Sequence, residues 1–120
     1  MKRILVVDDS PRMRQMVAFT LEGAGFGVVQ ASDGKDAMTK LSGKEYPLFL
    51  SDLNMHGMDG LEFTRQLSAV PAYKFVPSIF LTTESDVAGK QFAKAAGATG
   101  WSVKPFEPDK LVALVNKVMR

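Results

Sequence analysis

The sequence predicts an α/β fold built on one parallel sheet, with helices on both faces. Two observations predict it. Short apolar runs rich in Val, Ile, Leu and Phe recur at 4–7, 28–31, 48–50, 78–81 and 101–103. Runs of this kind fit strands that are covered on both faces. Between them, apolar residues return at spacings of three and four, the period of a helix. Strand and helix patterns that alternate in this way argue for parallel strands joined by helical crossovers.

Each element has its own signals. The run 4–7 meets Asp8 and Asp9. Ser10 is then a good N-cap, and Pro11 suits the first helical position, whose N–H has no intrahelical partner anyway. Met13, Met16, Val17, Thr20, Leu21 and Ala24 carry the first helix, and Gly25 ends it. The second strand, 28–31, leads to a short helix that starts near Asp33 and carries Ala37, Met38 and Leu41. The third strand, 48–50, precedes a helix with Phe63, Leu67 and Val70 that stops before Pro71. Residues 73–77 are the most loop-like stretch, and 78–81 form the fourth strand. A fourth helix starts near Asp86, carries Val87, Ala88, Phe92, Ala95 and Ala96, and stops at Gly97. The fifth strand, 101–103, is followed by a last helix with Pro108 at its first position and Leu111, Leu114, Val115 and Val118 inside. Five β-α units predict the flavodoxin-like doubly wound (βα)5 order, a five-stranded parallel sheet arranged 2-1-3-4-5.

Composition narrows the function. The chain has 120 residues, so one domain over 1–120 is expected, with no effector domain, linker or internal repeat. With no Cys, disulfides, thiolate metal sites and Cys nucleophiles are excluded. A net charge of +2 is too small to imply nucleic acid, and no helix-turn-helix segment remains after five β-α units. The start, MKRILVVDDS, reaches two aspartates after four apolar residues, too few for a secretory signal. The longest stretch without a charge, 23–32, is Gly-rich and too short to span a membrane. A soluble, cytoplasmic domain is expected, without nucleic-acid binding or membrane insertion.

In open α/β sheets, sites form at the carboxyl ends of strands near the switch point. There the sequence places Asp8, Asp9 and Ser10; Ser51, Asp52, Leu53 and Asn54; Thr82, Thr83 and Glu84; and Lys104 before Pro105. Three carboxylates brought together need a counter-ion. One Mg²⁺ answers that need, because it takes oxygen ligands and keeps positions for water and phosphate. Asp9 and Asp52 are the candidate direct ligands, Asp8 acts through a bound water, and the Asn54 backbone carbonyl completes the protein's share. Asp52 is also a candidate nucleophile toward phosphorus, giving an aspartyl phosphate. Lys104 offers a compact cation for the phosphate. The Thr82 hydroxyl and the Thr83 backbone amide offer donors.

The segments VVDDS, SDLNMHGMDG, LTTES and GATGWSVKPF together resemble response-regulator receiver domains, and the resemblance spans essentially the whole chain. Within that family the GATGW and VKPF stretches look most like the stand-alone chemotaxis type. The resemblance implies that Asp52 accepts a phosphoryl group from a chemotaxis-type histidine kinase, with Mg²⁺ required. It implies that Asp8 and Asp9 are the acidic pair and Lys104 the paired lysine. Thr82 becomes the switch hydroxyl and Trp101 the switch aromatic, while Asn54 and Glu84 tune self-hydrolysis. It further implies a downstream protein target, with a flagellar motor switch as the candidate. A partner face would include Lys90, Lys94, Trp101, Lys110 and Lys117. A monomer is expected, and a dimer induced by phosphorylation is left open. Two residues depart from the family pattern: Trp101 stands where Tyr or Phe is usual, and His56 where Pro is common.

Plainer readings stand beside these. Asp8 and Asp9 would also serve as an N-cap cluster, Thr82 as a strand end, Lys104 as a solvated cation and Trp101 as core. Asp33, Asp59 and Asp86 read best as N-caps. The expected function is a signalling switch, not an enzyme. A phosphate sink or relay intermediate would use the same site. A haloacid-dehalogenase-like Mg²⁺ phosphatase would need a D-x-D arrangement after the first strand, and Asp8 is followed directly by Asp9. A flavin binder would need a phosphate loop there, which an acidic pair disfavours.

Overall fold

The computed structural model describes residues 2–41, 45–52, 60–83, 100–104 and 106–119; for 60–61, 64, 68, 82–83 and 101–104 it describes the backbone position alone. The strands are β1 (Arg3–Val7), β2 (Gly27–Ala31), β3 (Leu48–Asp52), β4 (Ser78–Thr83) and β5 (Gly100–Lys104). All pair in parallel, in the order β2-β1-β3-β4-β5. The described helices are α1 (Pro11–Gly23), α2 (Gly34–Thr39), α3 (Gly60–Ser68) and α4 (Pro108–Val118). The helix expected from Asp86 to Gly97 lies outside the described residues. The fold class and strand order are those the alternating pattern predicts.

The period of two divides each apolar run between the two faces of the sheet. Ile4, Val6, Leu48, Leu50, Ile79 and Leu81 point to one face, where Val17 and Leu21 of α1 and Leu111 and Val115 of α4 cover them. Leu5, Val7, Ala31 and Phe49 point to the other, against Ala37 of α2 and Phe63 and Leu67 of α3. This is why the runs show no polar alternation: both faces are core.

Helix ends follow their caps. Ser10 Oγ accepts the Met13 N–H at 3.2 Å, and Pro11 opens α1. Past its end Gly25 has φ +97°, the left-handed region where a Cβ is strained. Asp33 caps α2 by accepting the Asp36 N–H at 2.7 Å. Asp59 and Asp86, the other expected caps, lie outside the described residues.

Three local expectations are corrected. β3 runs two residues past its apolar run, because ladder pairing continues through Ser51 and Asp52. α3 ends at Ser68, yet Val70 still packs on the core from a turn in which its N–H bonds the Leu67 carbonyl at 3.0 Å. Met16 shares the spacing of Val17 and Leu21 but is half exposed, since the stripe of α1 that meets the sheet is narrower than its apolar residues.

Candidate functional site

The strand order places the switch point between β1 and β3. Val7 pairs with Ser51, so Asp8 and Asp52 stand one step further along adjacent strands, at the same level of the sheet. Asp52 pairs with Leu81, Thr82 with Val103 and Thr83 with Lys104. The carboxyl ends of β1, β3, β4 and β5 therefore bring Asp8, Asp9, Asp52, Thr82, Thr83 and Lys104 to one edge, as the sequence predicts.

The acidic residues are closely held. Asp8 and Asp52 are buried and Asp9 is half-buried, and one carboxylate oxygen from each lies within 4.8 Å of the others. Asp8 is fixed by its surroundings. Its N–H donates to the Ala31 carbonyl of β2 at 3.1 Å. Its Oδ1 accepts the Ser10 N–H at 2.9 Å, and its carbonyl accepts Arg14 Nη1 at 2.7 Å. Beside Asp52, the buried Ser51 hydroxyl donates to the Asp52 carbonyl at 2.9 Å.

Two ionised carboxylates at such a range repel by roughly 3–4 kcal/mol at an effective dielectric of about 20. Three of them favour a cation strongly. The donor set consists of hard carboxylate oxygens with no nitrogen or sulfur, which suits Mg²⁺ rather than a softer metal. The residues therefore fit the ion.

Thr82, Thr83, Trp101 and Lys104 are described by strand position alone. Asn54, His56, Glu84, Lys90 and Lys94 lie outside the described residues. Lys110 and Lys117 are exposed on α4, and Lys110 pairs with Glu107 at 3.4 Å. Sequence reasoning missed Arg14, and it placed Ser51 at the strand end without giving it a role. Arg14 sits six residues after Asp8, on a helix whose polar positions look solvated, so no local pattern reports its turn back to the strand end.

The sequence profile of the response regulator receiver domain matches residues 4–116. This chain belongs to the response regulator receiver family. The receiver superposes on the chemotaxis protein CheY4 of Vibrio cholerae with a TM-score of 0.93 and 44% identity, covering 98% of each chain. It also resembles the receiver domain of the sensor histidine kinase PA1611 of Pseudomonas aeruginosa PAO1, with a TM-score of 0.90 and 25% identity over 98% of this chain and 97% of that one. That structure has a magnesium ion coordinated in its active-site cleft. Curated relatives include the DNA-binding response regulator MtrA of Mycolicibacterium smegmatis, 36% identical over 99% of this chain and 51% of that protein. The phosphate regulon transcriptional regulatory protein PhoB of Escherichia coli is 34% identical over 99% of this chain and 52% of its own length. The receiver thus spans about half the length of these curated relatives. Receivers are signalling domains rather than classical enzymes. No described helix is long and apolar enough to cross a membrane.

Proposed function

We propose that this receiver accepts a phosphoryl group on Asp52 from a histidine kinase, with one Mg²⁺ bound, and passes the change on by protein binding. The observation that carries the reading is the cluster of Asp8, Asp9 and Asp52 at the ends of β1 and β3. An Asp52 carboxylate oxygen attacks phosphorus, forming an O–P bond as the P–N bond of the phosphohistidine breaks. The imidazole nitrogen leaves with that electron pair. Little further covalent help is needed, since transfer depends on position and charge neutralisation. Bound Mg²⁺ supplies part of that positive charge. Asp9, Asp52 and the Asn54 carbonyl would hold it directly and Asp8 through water. Lys104 offers a second cation, and the Thr82 hydroxyl and Thr83 amide donate to phosphoryl oxygens. Thr82 and Trp101 relay the new charge to a face that includes Lys90, Lys94, Lys110 and Lys117, while Asn54 and Glu84 tune hydrolysis. Physically this is a local electrostatic event biasing a two-state element.

A chemotaxis role, cytoplasmic and directed at a protein such as a flagellar motor switch, is supported by the 44% identity to CheY4. A second reading, the receiver half of a transcription regulator, is favoured by the DNA-binding relatives of which this chain matches half. The two readings share the Asp52 chemistry and differ in output.

The test is intact-protein mass after incubation with acetyl phosphate, with and without Mg²⁺, beside Asp52→Asn. One Mg²⁺-dependent phosphoryl adduct that vanishes in the variant is expected. An adduct that persists in Asp52→Asn moves the acceptor elsewhere. If neither an adduct nor a beryllofluoride response appears, the acceptor reading fails and binding without phosphorylation becomes the better one.

A further inference from the structure

Arg14 is a basic residue near the start of a helix, where the helix dipole disfavours it. The first turn of α1 contains no acidic residue to offset it. The half-buried side chain turns back across the N-terminus and donates from Nη1 to the Asp8 carbonyl at 2.7 Å. Its backbone N–H meanwhile donates to the Ser10 carbonyl at 2.9 Å. One residue thus grips both ends of the segment 8–10. Asp8 is also held through its N–H on Ala31 and its Oδ1 on the Ser10 amide.

We infer that Arg14 is a positioning residue for the Mg²⁺ site: by holding the Asp8 carbonyl it sets the angle at which the Asp8 and Asp9 carboxylates face Asp52. The inference rests on the proposed Mg²⁺-dependent function and concerns affinity for the ion. Its sign separates it from simple electrostatics. A cation beside the acidic loop repels Mg²⁺, so if charge alone mattered, removing it would tighten binding. Lost positioning weakens binding instead, and removing partners that orient metal ligands costs roughly tenfold or more in affinity.

The experiment is calorimetric titration of the full chain with MgCl2, comparing wild type with Arg14→Met, Arg14→Lys and Arg14→Ala, each checked by thermal melting without metal. Arg14→Met keeps the aliphatic stem and drops the donors, so it guards against a fold lost in Arg14→Ala. Expected are an about tenfold weaker Mg²⁺ affinity in Arg14→Met, and recovery of most of that loss in Arg14→Lys, which keeps a donor. A merely structural role lowers the melting temperature and leaves the affinity of the folded protein alone. Unchanged or tighter binding in Arg14→Met overturns the inference, and so does Arg14→Lys binding as weakly as Arg14→Met. A wild-type chain that takes up no Mg²⁺ overturns the functional reading and this inference with it.

Discussion

A carboxylate in this receiver takes its character from the amides around it. Asp36 Oδ2 accepts the Ser32 N–H at 2.9 Å, while its own N–H donates to Asp33 at 2.7 Å, a reciprocal arrangement at the start of α2. The Ser32 amide, helped by Lys40 at 3.4 Å, holds the Asp36 carboxyl below the usual carboxylate range, against a smaller opposing push from burial. The folded value is depressed, so the stabilisation is fully present above the unfolded value near 4. It is lost as pH falls through the folded value. Lys40 contributes little of it, because both partners are partly exposed. Asp36→Asn is expected to flatten the acid limb of the stability profile below about pH 4. Urea melts across pH 2–6 check this, and a variant with an unchanged acid limb counts against the assignment. Tyr46 shifts the other way: burial, then the neighbouring Tyr73, pushes its phenol up.

At the scale of the element, α1 links core to site. Val17 and Leu21 fix it on the sheet, Ser10 and Pro11 start it, and Arg14 returns from it to the end of β1. Ser10 does two things there: its hydroxyl accepts the Met13 N–H, and its own N–H donates to Asp8 Oδ1. Only the first needs the side chain. Ser10→Ala is therefore expected to cost about 1 kcal/mol and to leave the Asp8 amide bond in place. Denaturant melting should show a lower midpoint at constant slope, with phosphoryl labelling of Asp52 retained. Labelling lost together with the cap would mean that the hydroxyl also serves the site. α2 ends in a different way. Tyr46 donates its O–H to the Lys40 carbonyl at 2.9 Å, and Tyr73 to the Leu41 carbonyl at 3.2 Å. Tyr46 from nearby in the chain and Tyr73 from far along it thus satisfy carbonyls at and just past the C-cap of α2.

Across the whole molecule, the sheet carries two cores. The one under α2 and α3 centres on Phe49, whose ring lies 5.8 Å from Tyr46, 6.1 Å from Phe63 and 5.8 Å from Tyr73. Phe49 is buried in β3, three residues before Asp52. Phe49→Ala leaves a cavity among three rings, and about 3–5 kcal/mol of lost stability is expected. That is a large part of the ~5–15 kcal/mol typical of a domain. Chemical denaturation measures it. A loss below about 1 kcal/mol would mean that the rings close over the gap, contrary to the close packing of such cores.

The fold was legible because its signals are local or periodic. Apolar runs marked strands covered on both faces, Ser10–Pro11, Asp33 and Pro108 marked helix starts, and five β-α units implied the strand order. The acidic cluster was legible too, since strand ends converge in any doubly wound sheet. Other features depend on contacts between distant residues. Periodicity assigned Met16 and Val17 alike to a core face, and only packing against the sheet exposed one and buried the other. Nothing near Arg14 in the chain points to the Asp8 carbonyl, and nothing near Tyr73 to Leu41. Sequence by itself determined the elements, their order and the residue types at the strand ends, because backbone sterics and burial period act over a few residues. Tertiary structure alone decided which side chains reach across to hold them, because a hydrogen bond 2.7 Å long depends on how separate elements are packed.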